Sequence, residues 1–486
     1  MVVAAVFGGV AATGLAPFDL WPVALIALAG VVWCFDQTRT PGGAARIGWA
    51  AAAGYFAVGL QWIVSPFLVD VARHGWMAPF ALFFMAGGLA LFWALAFGLA
   101  RWVSGPARGG FALIVLLTGA EVLRGTLFTG FPWNQPGHVL IASPLVPIAA
   151  WMGAEGLTLL TLALAAMLAR VPSRPMAMVP VAALVGGLWL SAPALTTDVP
   201  PTPPDAPVLR LMQPNAPQDQ KWDPQMMPVF LDRMLAYSAA APAADVTIWP
   251  ETSVPAFLDG AQGLLPVIGG QAQGALSVIG IERREGGRYY NSLATVAPDG
   301  SVGAVYDKYH LVPFGEYLPL GVVMGRLGLG PLAERFGGFT PGPGPMLVDL
   351  GPAGRALPLI CYEAVFPGDV AAAPERPDLL LQITNDAWFG TFSGPYQHLA
   401  QARLRAIEQG LPMIRVANTG VSAAIAADGT VLATIPLGQA GMLDVPRPAA
   451  AAPTLFATIG PWPLRALLAS IAILLFFARP GRRARD

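Results

Sequence analysis

Residues 357–363 read Leu-Pro-Leu-Ile-Cys-Tyr-Glu, an apolar run that ends at Cys361. A short apolar run of this kind is typical of a buried strand, and reactive side chains at strand ends are typical of active sites in α/β sheets. Two other strings have the same form: Ile248-Trp-Pro-Glu251 ends in a carboxylate, and Tyr306-Asp-Lys308 ends in an ammonium group. These three stretches predict an α/β domain whose strand ends carry Glu251, Lys308 and Cys361.

Cys361, Glu251 and Lys308 are the candidate catalytic residues. A thiol of ordinary pKa is only slightly ionised near neutral pH, so Cys361 needs a base or a cation beside it. Glu251 is suited to accept the thiol proton, and Lys308 to stabilise the thiolate and the oxyanion of an attacked carbonyl. Taken singly, each has an ordinary structural explanation, as a surface acid, a solvated lysine or a buried core thiol. Their combination favours covalent acyl chemistry.

The composition indicates a membrane protein. Hydrophobic residues make up 55% of the 486 residues and charged residues 12%, about half the charge expected of a soluble domain. The net charge of −1 gives no field that would attract nucleic acid. The second cysteine, Cys34, lies in an apolar run, so we expect no disulfide with Cys361.

Apolar runs long enough to span a bilayer follow one another through residues 1–196. We predict about eight transmembrane helices, counting one more near the C-terminus. The first run is short, and a cleaved signal peptide is its alternative interpretation. The predicted spans are 3–16, 20–35, 47–69, 77–100, 110–127, 141–169, 177–195 and 461–478.

The distribution of arginines predicts the orientation, because basic residues are enriched in cytoplasmic loops. They recur in alternate loops and in the tail, so both termini are expected in the cytoplasm and residues 197–458 outside it. The predicted parts are helices one to seven at 1–196, a catalytic domain at 197–458, the eighth helix at 459–479 and a basic tail at 480–486. The arginines concerned are Arg39, Arg46, Arg101, Arg108, Arg170, Arg174, Arg479, Arg482, Arg483 and Arg485.

Strand and helix patterns alternate within the outer domain, which indicates a layered α/β fold. The helices are expected at 225–241 and 396–409. The strands are expected at 208–212, 246–249, 277–281, 292–297, 357–360 and 379–383.

Together the three strings resemble the nitrilase superfamily, whose members carry a Glu, Lys, Cys set on an αββα sandwich. W-P-E lies at 249–251, D-K-Y-H-L-V-P-F-G-E at 307–316 and I-C-Y-E at 360–363, and the resemblance spans about 209–443. With helices before and after the domain, the chain resembles the bacterial apolipoprotein N-acyltransferases. Other strings that fit are 130–134, 213–215, 221–222, 339–342 and 384–390.

The resemblance implies a reaction and a location. Cys361 would take an acyl chain from a phospholipid, with phosphatidylethanolamine the expected donor, and hold it as a thioester. The α-amine of the diacylglyceryl-cysteine at the N-terminus of an apolipoprotein would receive it, in the last step of lipoprotein maturation. The enzyme would be a monomer in the bacterial inner membrane, with a periplasmic catalytic domain. We expect no cofactor, and the scattered histidines suggest no metal site.

Further residues are expected to support the reaction or contact substrate. Glu316 would hold Lys308, and Glu363 would support the turn or the substrate. The main-chain N–H near Tyr362 or another donor would complete the oxyanion site, and Asn385 is a further supporting residue. Ordinary structural roles are the alternative for Glu316, Glu363 and Asn385. The expected substrate contacts are Trp222, Trp388, Phe389 and Trp133, with burial or interfacial anchoring the alternative for the tryptophans. The apolar loop 317–324, followed by Gly325, Gly328 and Gly330, predicts a gate that enters the outer leaflet, or else a packed contact with the membrane.

Charged residues inside the predicted spans are costly unless they are paired. Glu121 and Arg124 have helical i,i+3 spacing, which predicts an ion pair, with contact to a lipid headgroup as the alternative. Glu155 is a third such residue.

Two other functions remain open at this stage. The catalytic set alone does not choose between water and an amine as acceptor, so a membrane-anchored amidase or nitrilase is the first rival. A transporter or receptor whose outer domain only binds ligand is the second.

Overall fold

The fold is known from a computed structural model, which describes residues 1–104, 109–171, 196–319 and 338–479, with the isolated positions 176, 179, 183, 186 and 187. The predicted seventh span, the gate beyond Pro319 and the tail 480–486 therefore lie largely or wholly outside the described residues. The chain forms two compact units. A helical unit comprises Met1–Thr197, Phe392–Gly410 and Pro453–Asp486, and a sheet unit comprises Asp198–Thr391 and Leu411–Ala452.

Each predicted apolar run within the described residues contains a helix. Two helical segments of this part of the chain, Val71–Ser104 and Val146–Leu168, are long and apolar enough to cross a membrane. A third candidate is the pair Pro41–Gly59 and Gln61–Leu68, which is bent by 48°, so the run predicted as one span at 47–69 is broken. The helices of this unit are Val2–Ala11, Trp21–Asp36, Pro41–Gly59, Val71–His74, Ala78–Ser104, Gly109–Arg124, Ala149–Leu168, Gly394–Gln409, Leu455–Ile459 and Trp462–Phe477.

The charged residues predicted to be costly in the membrane, Glu121, Arg124 and Glu155, are paired. Arg124 and Glu121 are almost fully buried, and their side chains meet at 2.5 Å. Trp93 Nε1 donates to Glu121 at 2.8 Å, and Arg124 donates to the carbonyl of Trp133 at 2.9 Å. The predicted ion pair is confirmed, and Glu155 also has a partner, Arg465, at 2.6 Å.

Gln397 fastens the helix Gly394–Gln409 within this unit. Its side-chain oxygen accepts hydrogen bonds from the indole N–H of Trp62 at 3.2 Å and from that of Trp133 at 2.8 Å. Its side-chain nitrogen donates to the carbonyl of Gly59 at 3.0 Å. One buried amide thus links three other segments of the chain.

The sheet unit contains two six-stranded sheets, with strand orders β12-β1-β2-β3-β4-β5 and β11-β10-β9-β8-β7-β6. At the centre of each, three neighbouring strands run parallel: β1, β2 and β3 in the first sheet, β7, β8 and β9 in the second. The strands are β1 Val208–Gln213, β2 Val246–Ile248, β3 Leu276–Glu285, β4 Arg288–Val296, β5 Val302–Asp307, β6 Val348–Asp349, β7 Arg355–Ile360, β8 Leu379–Thr384, β9 Met413–Ala417, β10 Ser422–Ile425, β11 Val431–Ile435 and β12 Gly441–Pro446.

The two sheets pack face to face. Apolar side chains of both, such as Leu211, Val278, Ile360 and Leu381, form one buried core. The outer face of the first sheet is covered by the helices Met227–Ser238 and Leu265–Gln271, whose apolar residues pack against those of β3 and β4. Strand β8 is buried along its whole length, as expected of a central parallel strand. A short helix, Pro367–Ala371, follows the turn after β7.

Replacing Gln397 with leucine should destabilise the helical unit by an amount on the order of 3 kcal/mol, because three buried hydrogen bonds are lost. Gln401→Leu is the matched control on the same helix. Gln401 is also buried, but within the described residues its side-chain oxygen has no hydrogen-bond partner and its nitrogen makes one long bond, to the Gln397 main-chain carbonyl at 3.4 Å. Thermal unfolding of the purified variants in detergent would measure the difference. Equal melting temperatures for the two variants would contradict the role given to Gln397.

Candidate active site

Cys361 lies in a strained turn at the end of a strand. Strand β7 ends at Ile360, and the turn Cys361–Val365 follows directly. Cys361 has a φ of +51°, a conformation that costs energy for a residue with a Cβ and that is enriched at functional sites. The thiol is almost fully buried, and Gln382 donates to the Cys361 carbonyl at 3.1 Å.

Glu251 is held at both carboxylate oxygens. It lies three residues beyond the end of β2. Its Oε1 accepts from the side-chain N–H of Asn291 at 2.7 Å, and its Oε2 from the main-chain N–H of Asn385 at 2.7 Å. Lys308 Nζ lies 3.5 Å from Oε1. These donors orient the carboxylate and stabilise its charge.

Lys308 is buried between two carboxylates. It follows β5 directly, and its Nζ lies 2.8 Å from Glu316 Oε1 as well as 3.5 Å from Glu251 Oε1. Burial acts to lower the pKa of Lys308, but the charges of Glu316 and Glu251 outweigh it and hold the pKa above its usual value. The ammonium is therefore protonated at neutral pH.

Burial and the negative charge of Glu251 raise the pKa of the Cys361 thiol, while the charge of Lys308 and a hydrogen bond with Thr384 act to lower it. The raising effects dominate, so Cys361 rests as a thiol rather than a thiolate. A cysteine in this state can attack a carbonyl only if a base accepts its proton, and Glu251 is the carboxylate whose charge acts on Cys361 most strongly.

The expected supporting residues have defined contacts. Glu316 accepts from Lys308 and, through Oε2, from the Val312 N–H at 2.8 Å. Tyr362 packs edge-on against His310 and Phe366.

Glu363 joins the turn Cys361–Val365 to the segment after β5. Its Oε1 accepts from the Tyr306 hydroxyl at 2.7 Å and the Tyr309 N–H at 2.9 Å, and its Oε2 accepts from the Ile360 N–H at 2.7 Å. Burial raises the pKa of Glu363 to about 7, against these hydrogen bonds and the charge of Lys308, which lower it.

The residues expected to touch substrate have different surroundings. Trp222 and Trp388 are 44% and 41% exposed, while Phe389 packs against the core between the sheets. Trp133 belongs to the helical unit, where it is fully buried and bonded to Gln397.

Asn291, on β4, is a site residue that the sequence did not reveal. Its side-chain N–H group donates to Glu251 at 2.7 Å and to Glu316 at 3.1 Å, and its main-chain carbonyl accepts from the main-chain N–H of Lys308 at 2.8 Å. Its only sequence signal is an amide in the part of β4 that is buried. Thr384, at the end of β8, belongs to a string that fits the family, but the string alone gives it no role.

No group of three His, Cys, Asp or Glu side chains in the described parts of the chain is placed to hold a metal ion.

Comparison with known proteins places the chain in a family. A family model described as the apolipoprotein N-acyltransferase N-terminal domain matches residues 7–167, and one described as carbon-nitrogen hydrolase matches residues 220–452. The apolipoprotein N-acyltransferase of Rhodopseudomonas palustris is 39% identical, over 99% of this chain and 96% of the relative. The chain belongs to the apolipoprotein N-acyltransferase family.

Two further proteins complete the comparison. The apolipoprotein N-acyltransferase of Bradyrhizobium diazoefficiens is 40% identical, over 98% of this chain and 94% of its own. Among solved structures, a CN-hydrolase superfamily protein from Xanthomonas campestris is 22% identical, with a TM-score of 0.36, over 55% of this chain and 94% of that protein.

Alkylation of Cys361 by iodoacetamide should be slow at neutral pH and should still accelerate above pH 9, because the raised pKa keeps the thiol protonated where an ordinary cysteine of pKa about 8.5 is ionised. Lys308→Met should slow it further, because the cation that stabilises the thiolate is removed. Peptide mass mapping across a pH series separates Cys361 from Cys34. A rate that levels off below pH 8 would refute the prediction.

Asn291→Leu should lower N-acyltransferase activity about 10- to 100-fold, the usual cost of losing a group that orients a reacting residue. Asn385→Ala should cost less, because Asn385 holds Glu251 through its main-chain N–H, which the substitution retains. Initial rates of the two variants, with melting temperatures as a check on folding, give the comparison. The reverse order of effects would show that Glu251 does not depend on the Asn291 amide.

Proposed function

We propose that this chain is an integral membrane N-acyltransferase that transfers an acyl group from a phospholipid, through a thioester on Cys361, to the α-amine of the diacylglyceryl-cysteine at the N-terminus of apolipoproteins. The observation that carries the proposal is the buried arrangement of Glu251 and Lys308, 3.5 Å apart, with the charges of both acting on the Cys361 thiol. Membership of the apolipoprotein N-acyltransferase family supports the choice of acceptor.

In the first half-reaction, Cys361 Sγ attacks the ester carbonyl while Glu251 accepts the thiol proton. The Lys308 ammonium stabilises the oxyanion, aided by the main-chain N–H near Tyr362. The S–C bond forms and the ester C–O bond breaks. Glu251 returns its proton to the departing alkoxide, which leaves as a lysophospholipid. Phosphatidylethanolamine is the proposed donor.

In the second half-reaction, the ammonium group of the acceptor gives one proton to Glu251 and becomes a nucleophilic amine. It attacks the thioester, the C–N bond forms and the C–S bond breaks. The second proton goes to the Cys361 sulfur, and Glu251 releases its proton to solvent. A thioester suits this step because amines attack it readily.

Glu316, Glu363, Tyr362 and Asn385 would keep the reacting groups in place through the contacts described above. Trp222, Trp388, Phe389 and Trp133 remain the proposed substrate contacts. The exposed rings of Trp222 and Trp388 are suited to apolar acyl chains.

The proposed location is the bacterial inner membrane, with a monomer of about eight spans. The catalytic domain, residues 197–458, would face the periplasm and both termini the cytoplasm. The apolar helices of the helical unit and the alternation of arginine-rich loops support this arrangement.

The purified protein incubated with phosphatidylethanolamine vesicles should gain one acyl chain on the Cys361 peptide and release lysophospholipid. A diacylated lipopeptide with a free N-terminal amine should then remove the adduct and gain an amide-linked chain. Mass spectrometry measures both. Cys34→Ala is the matched control and should keep the adduct, whereas Cys361→Ala should lose it.

The rival function, hydrolysis of a small C–N compound, predicts a different result. Wild-type protein would then show no acyl adduct and would release ammonia from simple amides without any lipid. That result would overturn the proposal that the chain is an N-acyltransferase.

A further inference from the structure

The chain contains only two lysines among its 28 basic residues, and the other 26 are arginines. Both lysines, Lys221 and Lys308, are buried, although lysine is among the residues least often buried. Arginine stands at every other basic position. The compact ammonium group of lysine suits these two buried positions, where several oxygen atoms lie close together.

Both lysines contact Glu251, Lys308 at the side-chain carboxylate and Lys221 at the main-chain carbonyl. Lys308 lies beside its carboxylate. Lys221 Nζ donates to its main-chain carbonyl at 3.2 Å and to the hydroxyl of Thr252 at 2.6 Å. The ammonium also lies 5.3 Å from the centre of the Trp222 ring.

The turn that Lys221 contacts is strained. Thr252 has a φ of +45°, a conformation disfavoured for a β-branched residue. The turn also lies directly on β3, where a Cβ added to Gly280 would come within 2.6 Å of the Glu251 Cα and 2.7 Å of the Thr252 nitrogen. The main-chain N–H of Ser253 donates to the Gly280 carbonyl at 2.9 Å. The conformation therefore persists only where surrounding contacts enforce it.

We propose that Lys221 is a positioning residue for Glu251: its ammonium holds the Glu251 carbonyl and the Thr252 hydroxyl, and so keeps the strained turn in the conformation that directs the carboxylate to Lys308. The role rests on the proposed function of Glu251 as the base. It assigns a task to the second lysine, which the reaction steps themselves leave unused.

Arginine would not serve equally well, because its planar guanidinium is larger than the ammonium that reaches both oxygens. Burial lowers the pKa of Lys221 to about 8, although the negative charges of Glu251 and Glu282, which face it, act to raise it. Lys221 is thus mostly protonated at pH 7. Above pH 8 it loses its charge and one of its N–H donors, and its hold on the turn weakens.

The experiment measures thioester formation on Cys361 from phosphatidylethanolamine in wild type, Lys221→Met and Lys221→Arg. Lys221→Met should lower kcat about 10- to 100-fold at pH 7 with KM changed less than twofold, because a positioning residue acts on Glu251 and the proposed acyl-chain contact, Trp222, is unchanged. Lys221→Arg should restore only part of the loss. Arg284→Met, at an exposed basic residue that pairs with Asp259 and contacts none of Glu251, Lys308 or Cys361 in the described structure, should behave as wild type.

Two further readouts separate positioning from a general effect on folding. The ratio of wild-type to Lys221→Met rates should be constant below pH 7 and should shrink above pH 8, as wild type loses the same charge. Adding Thr252→Gly to Lys221→Met should recover at least threefold in kcat, since glycine adopts a positive φ without strain. Melting temperatures confirm that the compared proteins are folded.

The outcomes are distinguishable. If the wild-type protein forms no thioester, both the proposed function and the role of Lys221 are contradicted. Wild type that forms the thioester while folded Lys221→Met matches it within twofold would overturn the role of Lys221 alone. A Lys221→Met defect confined to KM, or one that is independent of pH and not relieved by Thr252→Gly, would equally overturn it.

Discussion

The arrangement of the candidate active site depends on the energetic cost of burying the Lys308 ammonium group. Lys308 is almost wholly removed from water, and an isolated charge there would be prohibitively unfavourable. Glu251 and Glu316 balance it, and the two carboxylates need donors in turn, which Asn291, the Asn385 main chain and the Val312 main chain supply. Burial and the charge of Glu251 also keep Cys361 a thiol. The groups that stabilise the fold at this point are therefore also those that carry the proposed reaction.

Strand topology brings these groups together. Glu251 follows β2, Cys361 follows β7 and Asn385 follows β8, all parallel strands at the centres of the two sheets. Two of the turns beyond these strands contain residues with positive φ, Thr252 and Cys361. Strain of this kind persists only when packing and hydrogen bonds enforce it. Glu363 does so for the Cys361 turn through the Ile360 N–H, and Lys221 is proposed to do so for the Glu251 turn.

The helical unit also buries polar groups, and several of these are paired either by an ion pair or by hydrogen bonds between neutral groups. Glu121 and Arg124 share a buried site with the indole of Trp93, and Gln397 satisfies two further indoles and a main-chain carbonyl. Interactions of this kind are strong where water is scarce, because a polar group left without a partner retains its full cost of burial. A single helix, Gly394–Gln409, lies between two parts of the carbon-nitrogen hydrolase match in sequence and yet packs within the helical unit.

The sequence by itself determined the parts with local signals: the apolar helices, six of the described strands (β1 to β4, β7 and β8) to within a few residues, and Glu251, Lys308 and Cys361 at or just past strand ends. The buried strands β9 and β10 were not predicted. Strand periodicity, chain polarity and short strings are local properties, so they can be recognised without tertiary information. Only the tertiary structure decided the break after Gly59, the bridging role of Asn291 and the buried position of Lys221 on the main chain of Glu251. These depend on which side chains meet across distant segments, and no local pattern encodes that. The number of spans and the side of the membrane that the catalytic domain faces remain proposals drawn from the sequence. The upward shift of the Cys361 pKa, by contrast, follows from burial and neighbouring charges, which only the folded chain brings together.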